Sequence, residues 1–160
     1  MFNALKKFLA DLRSEPETVR HFEASDQRLA EAALMFHVVA ADGVVDDGER
    51  AHMETILSSH FDLSVEETKL LIEDAHLADM EAIDLYGFTS VLKQNLEEDE
   101  RVTIVEHMWE MVYADGIVHE LEDNIVWRVA ELLGVSQRQR MILKQRVRRR
   151  QEREQQEEAT

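Results

Sequence analysis

Seven acidic side chains lie in or beside two Asp-Gly turns in this chain, and carboxylates grouped in this way can hold a metal ion. The first turn reads Ala-Asp-Gly-Val-Val-Asp-Asp-Gly-Glu over residues 41–49, and the second reads Ala-Asp-Gly-Ile-Val-His-Glu-Leu-Glu over residues 114–122. Because carboxylate oxygens are hard ligands, they suit Ca²⁺, Mg²⁺ or Mn²⁺. The pattern predicts a divalent-cation site if the two turns meet. Its candidate ligands are Asp42, Asp46, Glu49, Asp115, Glu120 and Glu122.

The spacing of these acids differs from that of an EF-hand calcium loop. If Asp42 is position 1, position 6 is Asp47, where the EF-hand has Gly, and position 12 is Met53, where it has a bidentate Glu. The second copy fails at the same two positions. A calcium loop of the EF-hand type is therefore excluded.

Helix capping explains much of the motif without any metal. Gly43 suits the left-handed residue after a helix, and Asp46 with Glu49 forms a capping box for the next helix. Capping leaves Asp42 and Asp115 unexplained, since a negative charge at a helix C-terminus opposes the helix dipole. A shared cation would offset that cost.

An enzyme of the helical-bundle type is the less favoured interpretation. Glu49–His52 and Glu73–His76 have the Glu-x-x-His spacing of di-iron carboxylate bundles. Among 22 Glu and 7 His residues, chance accounts for two such pairs. The chain has no Cys, no Gly-x-Ser-x-Gly and no phosphate-binding glycine loop. We therefore predict a non-enzymatic protein with no catalytic residues and no organic cofactor.

The elements that must position the two turns are helices. The chain contains only five Gly and one Pro, the residues that most often form turns, and helix-forming residues are plentiful. Apolar residues recur at helical spacing, and the segments between them are short, which favours an antiparallel bundle. We predict an all-α, single-domain helical bundle of about seven or eight helices, with an internal helix-turn-helix duplication. The predicted helices cover about residues 2–12, 26–41, 47–59, 65–78, 85–94, 98–113 and 120–133, followed by a helical tail.

The net charge of −16 is unevenly distributed. Residues 1–137 contain 10 basic and 30 acidic side chains, whereas residues 138–160 contain eight basic and four acidic ones. Because the acidic body repels polyphosphate, duplex nucleic acid is not an expected partner. We predict three segments: an N-terminal amphipathic helix and linker (1–24), a helical domain (25–137) and an Arg/Glu-rich C-terminal helix or tail (138–160).

Localisation and partners follow from the same features. The absence of Cys and of a membrane-spanning apolar run favours a cytoplasmic protein. We expect protein partners or self-association. The favoured interpretation of the basic tail is a solvated helix. The alternatives are binding to an acidic partner, an anionic membrane surface or RNA, or docking on the acidic body of its own or another subunit. Peripheral membrane contact through the N-terminal helix is the less favoured alternative, because that helix is short and carries two lysines.

The doubled Ala-Asp-Gly turn, followed each time by Glu at the same spacing, resembles the TerB-like family of bacterial tellurite-resistance proteins. The second copy, Tyr-Ala-Asp-Gly-Ile-Val-His-Glu-Leu-Glu over residues 113–122 and Ala-Glu-Leu-Leu-Gly-Val-Ser over 130–136, carries most of the resemblance. Related domains occur in DnaJ-like co-chaperones. The resemblance implies an all-α bundle with an acidic surface, linked to stress responses, with metal binding or scaffolding as its role. The chain departs from its own repeat at His119, which stands where the first copy has Asp46.

Overall fold

The computed structural model describes residues 21–43, 45–114 and 120–159. Within these ranges the chain forms seven α-helices and no strand, so the all-helical prediction is confirmed. The predicted helix over residues 2–12 lies outside the described residues. The helices are α1 (Gln27–Val39), α2 (Asp47–Phe61), α3 (Val65–Glu81), α4 (Tyr86–Asn95), α5 (Glu98–Tyr113), α6 (Glu120–Leu132) and α7 (Gln137–Ala159), with a 3-10 turn at Ala40–Asp42 after α1.

Helix α1 is the centre of the bundle. It contacts α2, α3, α4, α5 and α6, and ten of its 13 residues are buried. A helix that is apolar on all sides belongs in a core. The repeat contributes to this core, because residues at equivalent positions of its two copies are all buried. These are Met35, Phe36 and Val39 in α1, and Met108, Trp109 and Val112 in α5.

Most helices begin at the residues that the sequence indicates. The side chain of Asp26 caps α1 by accepting a hydrogen bond from the backbone N–H of Arg28. Ser64 and Glu67 form a reciprocal capping box at the start of α3. Helix α4 begins at Tyr86, one residue later than predicted, and Asp84 accepts a hydrogen bond from the Tyr86 N–H at 3.0 Å.

The basic C-terminal segment forms the long helix α7, which packs on α5 and α6. Leu143 and Val147 are buried on its inner side. The guanidinium group of Arg150 lies 3.1 Å from the carboxylates of both Glu106 and Glu110 on α5. The basic helix therefore docks on the acidic body of its own chain. None of the described helices is long and apolar enough to cross a membrane.

Candidate functional sites in two neighbouring clefts

A cleft of about 300 Å³ lies where the first turn of α2 meets the end of α5 and the start of α6. Three acids line it, together with His52 and the end of α5. The complete lining is Asp46, Gly48, Glu49, His52, Met111, Val112, Ala114 and Glu122. We call this the acidic cleft. It joins the turn of the first repeat to the helix that follows the turn of the second.

Local backbone structure positions the acids of the first repeat. Gly43 has a φ of 89°, so the chain leaves α1 and its 3-10 turn through a left-handed residue. Asp46 then caps α2, and its carboxylate accepts a hydrogen bond from the Glu49 N–H at 2.7 Å. The predicted role of Asp46 as a helix cap is confirmed. Glu49 lies in the first turn of α2 and is part of the lining of the cleft.

The acidic cleft disfavours full ionisation. The pKa of Glu49 is raised to about 7, first by burial and then by a hydrogen bond to the Asp46 side chain. The negative charges of Asp46, Asp42 and Glu122 raise that pKa further. Glu122 itself is only 8% exposed. Four of the six predicted ligands thus lie close enough for their charges to interact.

Of the two remaining predicted ligands, the structure describes only Glu120. Glu120 lines a different cleft, together with Asp123, Lys144 and Arg148. Asp115 lies outside the described residues, so its separation from Asp42 is not described. Glu49 and Glu122, which occupy the same position of the two copies, are thus the pair of equivalent candidate ligands that line one cleft among the described residues.

A second group of ligand-type side chains lies beside the acidic cleft. Glu31 of α1 faces His60 of α2 and His107 of α5. His107 Nδ1 is 3.2 Å from Glu31 Oε1, and His60 Nε2 is 3.6 Å from Glu31 Oε2. One ligand atom from each residue lies within 4.8 Å of the other two, which makes this a group that could hold a metal ion. Among the described residues, no other such group of three His, Asp or Glu side chains is found.

The two histidines open onto a cleft of about 590 Å³, which we call the histidine cleft. The two imidazole rings meet edge to face, with centroids 4.6 Å apart. His52 lines this cleft as well as the acidic one. Its Nε2 atom is buried and has no hydrogen-bond partner among the described residues. The full lining is His52, Thr55, Ile56, Ser59, His60, His107, Glu110, Arg150, Gln151 and Glu154.

The spacing of residues in the sequence did not reveal this second group. Its members come from three helices, 29 and 47 positions apart, and no local motif has such separations. One signal was present: Glu31 is the only charged residue in the run Leu-Ala-Glu-Ala-Ala-Leu-Met-Phe. An acid in the middle of an apolar helix requires a polar partner, because an unpaired buried charge is costly.

Comparison with known families agrees with the all-helical fold. Residues 28–145 match the sequence model of the family described as tellurite resistance protein TerB. This chain belongs to the TerB family. The TerB match includes both clefts' candidate ligands from Glu31 to Glu122 and ends within α7. No curated protein and no solved structure compared with this TerB-family chain gave a match.

Proposed function

We propose that this TerB-family protein is a non-enzymatic, acidic binding module of the tellurite-resistance and stress-response type. In this proposal it takes up Ca²⁺, Mg²⁺ or Mn²⁺ in the acidic cleft and acts as a scaffold for protein partners. The observation that carries the proposal is that Asp46 and Glu49 of one repeat and Glu122 of the other line the same cleft.

Electrostatics supports a cation at this place. Carboxylates that repel one another disfavour the ionised state, and a divalent cation removes that repulsion. Among the described residues, the acids of this cleft do not form a group of three with ligand atoms within 4.8 Å of one another. Because oxygen ligands of Ca²⁺ lie about 2.3–2.6 Å from the ion, binding in this proposal draws the Glu49 and Glu122 side chains together. His52 lines the same cleft, and its Nε2 atom is buried without a hydrogen-bond partner among the described residues. A buried polar atom without a protein partner is a place where water or an ion is expected.

A bound cation would connect the start of α2 to the start of α6. These are equivalent ends of the two repeats, so the cation would fix the repeats against each other. It would also reduce the negative charge of a strongly acidic surface, which changes the attraction for basic partners. Cation binding would in this way control scaffolding without any chemical reaction.

Thermal unfolding of metal-stripped protein tests the proposal. A ligand that binds only the folded state stabilises it by about 2.7 kcal/mol at a free concentration of 100 times its Kd. We expect Mn²⁺ or Ca²⁺ to raise the Tm of the native protein and to lose most of that effect in Glu49→Gln and Glu122→Gln. Glu120→Gln is the matched control, because Glu120 lines a different cleft. A Tm that does not respond to millimolar divalent cation contradicts the proposal.

A pure protein-interaction domain with no metal site is the second candidate. It is favoured by three large apolar side chains exposed around the connection between α3 and α4: Met80, Ile83 and Tyr86. Exposed apolar patches mark surfaces that associate. Sedimentation of native protein and of Ile83→Asp tests whether this patch mediates self-association. A single monomeric species for both proteins would exclude self-association through the patch.

A further inference from the structure

We propose that Glu31, His60 and His107 form a second metal centre, separate from the acidic cleft, for a borderline transition-metal ion such as Zn²⁺ or Co²⁺. This inference does not rest on the proposed function. It concerns different ligands, a different cleft and a different class of metal ion.

The donor set selects the class of ion. Two imidazole nitrogens and one carboxylate are ligands that suit Zn²⁺ and its neighbours, whereas Ca²⁺ and Mg²⁺ prefer oxygen alone. Zinc sites with three protein ligands keep a fourth position for water or another ligand. Here the fourth position would face the histidine cleft, which His60 and His107 line.

The distances between the donor atoms agree with a tetrahedral ion. Metal–nitrogen and metal–oxygen bonds of about 2.0–2.1 Å place two ligand atoms of a tetrahedron about 3.3 Å apart. His107 Nδ1 lies 3.2 Å from Glu31 Oε1, and His60 Nε2 lies 3.6 Å from the other carboxylate oxygen, Oε2. One donor atom from each of the three residues lies within 4.8 Å of the other two, so binding would draw the three donors together around the ion.

Burial of Glu31 supplies the second argument. Its side chain is 2% exposed, on the helix that forms the centre of the core. A buried carboxylate needs a compensating positive charge. Arg150, whose side chain lines the histidine cleft, is already paired with Glu106 and Glu110. The two imidazoles are the groups that face Glu31, and a metal ion held between them would provide the charge.

Titration of the untagged, metal-stripped protein with Co²⁺ tests the centre, because four-coordinate Co²⁺ has a strong visible absorption that the hydrated ion lacks. We expect one ion per chain with that spectrum, displaced by Zn²⁺. His60→Ala and His107→Ala should each weaken binding by about 100-fold, since loss of even an outer partner of a ligand commonly costs 10–100-fold. Circular dichroism of each variant checks that it folds.

Two control variants separate this centre from other sites. His37→Ala removes a histidine that pairs with Asp79 outside the cleft, and it should leave Co²⁺ binding unchanged. Glu49→Gln should also leave it unchanged, although the same substitution should abolish the response of the acidic cleft to Mn²⁺. As a second measurement, Zn²⁺ should shift the imidazole NMR signals of His60 and His107 but not that of His37.

Three results would overturn the inference. One is an absorption spectrum of Co²⁺ that stays that of the hydrated ion. Another is binding that survives in folded His60→Ala and His107→Ala. The third is binding lost in Glu49→Gln instead, which would move the ion to the acidic cleft.

Discussion

Glu49 and Glu122 are 73 residues apart in the chain, at the same position of two repeated turns, and both line one cleft between α2 and α6. The pKa of Glu49 is raised to about 7, in part by the charge of Glu122. Two equivalent glutamates of the repeat therefore interact electrostatically in the folded protein. The raised pKa of Glu49 makes the stability of the protein depend on pH.

Replacing Glu49 by Gln should stabilise the metal-free protein at pH 8 and have little effect at pH 5. Because the pKa of Glu49 is higher in the folded state than its ordinary value of 4.5, the folded state holds the proton more tightly. Native stability is therefore lost as the pH rises from about 4.5 through 7. We expect a gain of about 1 kcal/mol at pH 8, since water in the open cleft screens the charges.

Urea denaturation in chelator at both pH values measures this effect. Glu73→Gln is the control, because Glu73 is an exposed residue in the middle of α3. An equal gain for Glu49→Gln at pH 5 and pH 8 would show that the Glu49 carboxyl has its ordinary pKa.

Leu143→Ala should destabilise the protein by about 2–4 kcal/mol, the usual cost of removing a buried leucine side chain. Leu143 is 3% exposed on the inner side of α7, whereas its neighbour Ile142 is 46% exposed. Ile142→Ala should cost much less. Urea denaturation of both variants decides whether α7 is part of the cooperative core. Similar small costs for the two would mean that α7 does not contribute to it.

Arg150→Ala should cost more stability than Arg148→Ala, and the difference should shrink at high salt. Arg150 pairs with two carboxylates of α5, whereas the ion pair of Arg148 among the described residues is with Glu152 of its own helix. Exposed pairs within a helix contribute about 0.3–0.5 kcal/mol, and we expect about 1 kcal/mol for the two pairs of Arg150. Denaturation curves in low and high NaCl provide the measurement. Equal costs at low salt would contradict the ion pairs to α5.

Gly43→Ala should destabilise the protein by about 1–2 kcal/mol, because an L-residue with a side chain disfavours the left-handed region. The φ of Gly43 is 89°, and no atom lies within 4 Å of an added Cβ, so the cost comes from the backbone. Gly87→Ala is the matched control: Gly87 lies in α4 with equal free space and should gain up to about 1 kcal/mol. Thermal unfolding compares the two, and a neutral Gly43→Ala would contradict the strain.

Local chemistry explains which features of the fold are readable from the sequence. The helix caps at Asp26, Asp46 and Ser64 use hydrogen bonds between residues two or three positions apart, so short sequence motifs are enough to predict them. Gly43 likewise acts through its own backbone angle. Helix number and type were predictable for this reason. Helix α4 begins one residue after the predicted start, a difference within the usual variation of helix ends.

The candidate sites depend on packing, which the sequence encodes less directly. Glu49 and Glu122 could be proposed as partners because the repeat marks them as equivalent. Glu31, His60 and His107 belong to no repeat and no local spacing, and only the packing of α1 against α2 and α5 brings them together. For the same reason the sequence leaves the docking of α7 on α5 as one alternative among several. The ion pairs of Arg150 with Glu106 and Glu110 identify it.

The burial of α1 also determines how the protein unfolds. Helix α1 provides the packing surface for five of the other six helices that the structure describes, so neither copy of the repeat has a core without it. The two copies are therefore halves of one cooperative unit and not two independent folding modules. Amide hydrogens in the middle of α1 should exchange with solvent only through global unfolding, and those near the end of α7 should exchange through local fraying.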